Sequence, residues 1–132
     1  MLSHIHIGVT DFDRAFGFYS AVMEILGYPL RFEEAAREWA GWQPGTAPRP
    51  LFLIGRPFDG GPASPGNGQM AALLAPNRAA VDQVHAAAMS LGAICEGPPG
   101  PRPHYHPHYY GAYFRDPDGN KICVCCHDPA GE

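Results

Sequence analysis

Two short runs gather most of the side chains able to do chemistry: Arg102-Pro103-His104-Tyr105-His106-Pro107-His108-Tyr109-Tyr110, and Cys123-Val124-Cys125-Cys126-His127 near the C-terminus. Pro103 and Pro107 predict an extended first run, with His104, His106 and His108 on one side and Tyr105 and Tyr109 on the other. Three imidazoles on one side could chelate a metal. The preferred reading is the rim of a pocket, where Tyr and His rings give a small aromatic or polar ligand a body to stack on and directional hydrogen bonds. Three histidines on a loop hold a metal only when the loop is fixed and the remaining coordination is filled. Arg102 reads equally as a bidentate partner for a carboxylate or phosphate and as a solvent-exposed loop charge.

In the second run, Cys123 and Cys125 alternate with Val124 and therefore share one strand face. Cys123 and His106 are the candidate catalytic residues. Cys123 would be reactive only if a neighbouring His or Arg depressed its thiol pKa; its other reading is a small buried hydrophobe. His4 and His6 share a face of a strand read over Leu2 to Val9.

The elements that must carry these residues follow from periodicity. After the first strand, Thr10 or Asp11 offers an N-cap. Phe12, Ala15, Phe16, Tyr19, Met23 and Leu26 then recur at three- and four-residue steps, predicting a helix closed by Gly27. Short strands are expected over Tyr28 to Glu33, Glu38 to Trp42 and Pro50 to Ile54. Residues 55–68, rich in Gly and Pro, read as loop. The order then repeats: a strand over Gln69 to Ala75, and a helix from Pro76 or Asn77 to Leu91, ended by Gly92. A strand over Ala93 to Glu96 follows, with a loop over Gly97 to Pro103. Two last strands, Tyr109 to Arg115 and Asn120 to Cys126, are joined by the turn Asp116-Pro117-Asp118-Gly119. Leu26-Gly27 and Leu91-Gly92 coincide at an offset of 65. The expected organisation is one domain over 1–132: module one about 1–58, a linker about 59–67, and module two about 68–127. His85, on the second helix, reads as surface.

Composition narrows the classes. The chain has 132 residues, 45% of them hydrophobic, which suits one globular domain with a real core. A net charge of −4 argues against nucleic-acid or anionic-membrane partners. No apolar run approaches the ~20 residues of a membrane span. No basic and apolar leader is visible at the N-terminus, so a reducing cytoplasm and free thiols are expected. Cys-x-Cys-Cys-His does not supply the paired CxxC spacing of structural zinc.

The opening His4-Ile5-His6-Ile7-Gly8-Val9-Thr10-Asp11-Phe12-Asp13-Arg14-Ala15-Phe16-Gly17-Phe18-Tyr19 and the closing Tyr109-Tyr110-Gly111-Ala112-Tyr113-Phe114-Arg115-Asp116-Pro117-Asp118-Gly119-Asn120-Lys121-Ile122 resemble the vicinal oxygen chelate superfamily. That superfamily contains glyoxalase I, bleomycin-resistance proteins and extradiol dioxygenases. The stretch from Ala75-Pro76-Asn77 to Leu91-Gly92 is similar to the second helix of its bacterial members, and residues 34–66 match least. The resemblance implies an α+β fold of two βαβββ modules whose curled mixed sheets enclose a cleft. It also implies a homodimer.

In metal-binding members, four strands each supply one ligand, usually His or Glu, to a divalent metal. Carried over by position, the first ligand is His4. The second falls on the apolar Leu51 to Ile54, the third on Gln69 or Met70 according to register, and the last on Cys123. The expected function is therefore a divergent member that binds a small organic ligand without the usual metal. The expected pocket is lined by His4, His6, Gln69, Met70, Arg102, Tyr105, His106, Tyr110, Tyr113 and Cys123. Two alternatives stay open: a metal-dependent lyase or dioxygenase with a remodelled ligand set around His4 and Cys123, and a non-catalytic dimeric interaction module.

Overall fold

The computed structural model describes residues 1–130; Gly131 and Glu132 lie outside the described residues. The chain divides into two compact units, Met1–Pro65 and Gly66 onward.

In the first unit, β1 (His4–Gly8) leads into α1 (Phe12–Leu26). Then come β2 (Leu30–Glu34), a 3₁₀ turn (Ala35–Arg37), β3 (Trp39–Trp42) and β4 (Leu51–Gly55). The sheet order is β1-β4-β3-β2, with β1 parallel to β4 and the other pairs antiparallel. Alternation along the strands sorts the two faces. Phe52 and Trp42 meet the helix, where Tyr19 lies 5.2 Å from Phe52 and Phe16 lies 5.9 Å from Trp42, centroid to centroid. Phe18 and Val22 are buried with the predicted Phe12, Ala15, Tyr19, Met23 and Leu26, while Phe16 is half-buried, so the apolar face of α1 is wider than the heptad-like reading suggested.

The second unit repeats the plan. It comprises β5 (Ala71–Leu74), α2 (Arg78–Ser90), β6 (Ile94–Pro101), β7 (Tyr110–Arg115) and β8 (Lys121–Cys126), in the order β5-β8-β7-β6. β5 runs parallel to β8. Val81, Val84 and Ala88 of α2 are buried, as are Ala112, Phe114, Ile122 and Val124 on the two central strands.

The repeat extends to individual bonds. At the end of α1, Gly27 N–H reaches the Glu24 carbonyl and Tyr28 N–H the Met23 carbonyl. At the end of α2, Gly92 N–H reaches Met89 and Ala93 N–H reaches Ala88, the same pattern 65 residues on. Both glycines have the positive φ that such a helix stop requires, 80° and 97°. The N-caps also correspond: the Asp11 side chain accepts from Arg14 N–H, and that of Asn77 from Ala80 N–H. The chain is thus an α+β protein of two βαβββ modules.

Two expectations are corrected. β6 runs on through Gly97-Pro98-Pro99-Gly100-Pro101, read above as loop. It is an edge strand with register shifts after Cys95 and Gly97, which is where a sheet tolerates residues without an N–H. Residues 102–109 are not extended. Tyr105 N–H bonds the Arg102 carbonyl, and Tyr109 N–H bonds the His106 carbonyl. Pro103 and Pro107 therefore each hold the second position of a tight turn, which their fixed φ suits as well as an extended run. Arg102 N–H bonds the Tyr109 carbonyl and closes the whole segment.

Candidate functional site

β7 and β8 are paired with Tyr113 opposite Cys123 and Gly111 opposite Cys125. Directly opposed residues point to one side of a sheet, so Tyr113, Cys123 and Cys125 share the face away from α2. The closed turn segment brings Tyr109 onto that face. A Cβ on Gly111 would sit 2.9 Å from the Tyr109 ring, so glycine there leaves the ring its place. The Tyr109 hydroxyl lies 2.9 Å from the Tyr113 hydroxyl and 3.4 Å from Cys123 Sγ. Cys123 is fully buried, at 0% exposure.

A second line of contacts reaches Cys125. His106 Nδ1 accepts from the His108 backbone N–H at 3.1 Å, so in the neutral ring Nε2 carries the proton. That Nε2 lies 2.7 Å from His127 Nδ1, and His127 Nε2 lies 3.8 Å from Cys125 Sγ. The groups His106, His127, Cys125, Cys123, Tyr109 and Tyr113 form one continuous polar chain.

Its electrostatics favour charge at one end. Cys123 is drawn down from the ordinary thiol value of 9.0 to about 7, first by the Cys125 thiol and then by the Tyr109 and Tyr113 hydroxyls, with the Arg102 guanidinium adding to the effect against the cost of burial. Cys125 is pushed up because it donates to Cys123 and is itself buried. Burial and the bond to Cys123 push Tyr109 up as well. The arrangement stabilises a thiolate at Cys123 and keeps the donors around it protonated.

The remaining expected site residues distribute as follows. Arg102 lies beside the cluster, 5.7 Å from the Tyr113 ring centroid, and donates to the carbonyls of Pro98 at 2.8 Å and Pro101 at 3.3 Å. Tyr105 is 60% exposed and packs on Tyr109 at 4.9 Å. Gln69 and Met70 are exposed just ahead of β5. Tyr110 is turned to the other face, where its hydroxyl donates to Asp82 of α2 at 2.7 Å and Arg78 covers its ring. In the first module, His4 and His6 lie on the face away from α1, in register with Leu51 and Leu53. His4 Nδ1 is bonded to Ser3 Oγ at 2.9 Å. Loss of hydration and the neighbouring His4 hold the His6 pKa below its usual value. His85, expected at the surface, contacts Cys95 Sγ at 3.3 Å.

The sequence reading gave His127 no role beyond ending the cysteine run, and did not place Tyr109 in the pocket. Continuing the alternation Cys123, Cys125, His127 was the available signal for the first. Nothing local announces the second, because Tyr109 arrives through a turn.

The donor set does not fit the usual metal of the resembling superfamily. Among the described residues, no three His, Cys, Asp or Glu side chains gather as a metal would need. The second-ligand segment, Leu51 to Ile54, is apolar. The resemblance puts Cys123 where a carboxylate is usual, and its sulfur is engaged by hydroxyl and thiol donors. A hard divalent ion prefers oxygen and imidazole to such a set.

Comparison with known proteins agrees with the architecture. The profile of the Glyoxalase/Bleomycin resistance protein/Dioxygenase superfamily matches residues 1–124, and the chain belongs to that superfamily. A crystal structure of a glyoxalase/bleomycin resistance protein from Albidiferax ferrireducens T118 is 35% identical, with a TM-score of 0.82 over 97% of this chain and 99% of that one. Lactoylglutathione lyase from Agrobacterium tumefaciens is 19% identical, with a TM-score of 0.62 over 96% and 92%, and shares the fold. TioX from Micromonospora sp. ML1 shares it too, at 18% identity and a TM-score of 0.61 over 97% and 99%. No curated protein matches the chain. Among the described residues, no helix is long and apolar enough to cross a membrane.

Proposed function

We propose that the protein binds a small organic ligand without a resident metal. The binding surface is the face of the second sheet that carries Tyr109, Tyr113 and Cys123, flanked by Arg102, Tyr105 and His106, with Gln69 and Met70 ahead of β5. His4 and His6, on the first sheet, are a separate candidate for ligand contact. The observation that supports it is the convergence of two phenol hydroxyls, 2.9 Å apart, with a buried thiol on one sheet face. Polar groups gathered on an aromatic, largely apolar surface are what a small-molecule site needs. Homodimerisation is part of the proposal, and light scattering reads it directly as a mass twice 14.3 kDa.

The test is a thermal-shift screen of small aromatic and polar compounds, run in excess chelator. A ligand that binds only the folded state at 100 times its Kd stabilises by about 2.7 kcal/mol. The expected result is a compound that raises Tm in chelator and loses this effect in Tyr113→Ala. Ligand binding that appears only with stoichiometric divalent metal overturns the proposal.

A further inference from the structure

We propose that Cys123 is a nucleophilic thiol that captures small aldehydes as a reversible thiohemiacetal, with the Tyr109 hydroxyl as the donor to the new oxygen. The inference rests on the ligand site proposed above and names the chemical class that site would hold.

Geometry selects the class. In addition to a carbonyl, the oxygen that gains charge is bonded to the carbon under attack, so it emerges beside the sulfur. A donor already 3.4 Å from Sγ, as Tyr109 is, reaches that oxygen with a small shift. In conjugate addition the charge appears several bonds away, and in displacement of a halide it departs opposite the sulfur. Neither would use a hydroxyl in this place. Tyr113, 2.9 Å from Tyr109, holds that hydroxyl in position. The full burial of Cys123 restricts the partner to small aldehydes. Access requires the Tyr109 ring to swing aside, and residues 103–105, 107 and 108 ahead of it are exposed.

Disulfide formation within the cluster is disfavoured. Cys123 and Cys125 are alternate residues of one strand, about 6.6 Å apart along it, with parallel Cα–Cβ bonds. A disulfide needs Cβ atoms at about 3.5–4.5 Å. Cys125 is therefore a donor to the thiolate rather than a partner in oxidation. Its contact with His127, and through it with His106, offers a route for protons between the exposed His127 and the cluster.

The step balances without a co-reactant. A sulfur lone pair forms the C–S bond and the C=O π pair moves to oxygen. The proton given up when Cys123 ionises passes to solvent, the new oxygen takes the Tyr109 proton, and the phenol recovers a proton from solvent through Tyr113. Relative to thiol and aldehyde, nothing leaves and nothing is oxidised or reduced.

The experiment uses the whole chain and acetaldehyde isotopically labelled at its carbonyl carbon, followed by carbon NMR. The expected result is a thiohemiacetal resonance that disappears in Cys123→Ser and on dilution, and persists in Cys95→Ser. Tyr109→Phe keeps the thiol and the ring, and guards against a Cys123 variant that fails to fold. It should slow adduct formation at least about a hundredfold, the loss of rate expected for one oxyanion donor. At a pH where the thiol is ionised in both proteins, its alkylation by iodoacetamide should change by less than about threefold, because that reaction develops no oxyanion. No thiohemiacetal in the wild type, a resonance that survives Cys123→Ser, or equal effects on both reactions overturns the inference. Non-electrophilic ligands that raise Tm while acetaldehyde forms no adduct would sink this inference and leave the proposed function standing.

Discussion

In the proposed chemistry Cys123 is the residue that reacts. Its thiol is surrounded by donors, so it ionises before an ordinary thiol does. A lowered acid pKa means the reactive form appears at lower pH. The alkylation rate of Cys123 should therefore rise through about pH 7. Mass-resolved iodoacetamide labelling across pH measures it. Removing a donor with Tyr109→Phe should move the Cys123 midpoint upward, and an unchanged midpoint would show that the phenol does not stabilise the thiolate. Much of this cluster was legible beforehand, because strand alternation alone puts Cys123 and Cys125 on one face. The same alternation separates Tyr110 from Tyr113, three residues apart, so placing both in one pocket was inconsistent with a regular strand. Tyr109 was out of reach of that argument, since a closed turn and not a periodicity delivers it.

At the scale of elements, caps and turns hold the scaffold. Asp116, only 3% exposed, accepts from the backbone N–H groups of Asp118 and Asn120 at 2.9 Å each and from Asn120 Nδ2 at 3.0 Å. It fixes the connection between β7 and β8 and hence the register that opposes Tyr113 to Cys123. Asp116→Ala should cost about 3 kcal/mol, since hydrogen bonds to a charged group are worth about 1.5–3 kcal/mol each and several are lost together. Asn77→Ala removes one N-cap bond and should cost about 1 kcal/mol. Urea denaturation of the two variants checks the order as well as the sizes. The turn was readable from Asp116-Pro117-Asp118-Gly119, and both helix stops from Leu-Gly. The length of β6 was not, because a run of Gly and Pro reads as loop unless one knows that the strand lies at a sheet edge.

For the whole molecule, the two modules share strand order and helix-end bonding while sharing little sequence. Packing demands only an apolar helix face on an apolar sheet face, so many sequences satisfy it. Glycine at the helix stop is more tightly required, and there the two halves agree. Function followed a different logic. The superfamily was legible from the opening and closing motifs, whereas the cluster around Cys123 had to be read from side-chain contacts. Because the described donors do not assemble a site for a hard divalent ion, excess chelator should leave the Tm within about 1 °C of its untreated value. A larger fall would indicate structural metal.

The most direct test of the account is backbone NMR of the chelator-treated protein titrated with a ligand from the thermal-shift screen. The account predicts shifts centred on Tyr109, Tyr113, Cys123 and Cys125. Shifts confined to the α2 side around Asp82 and Tyr110, or none until a divalent metal is added, would contradict it.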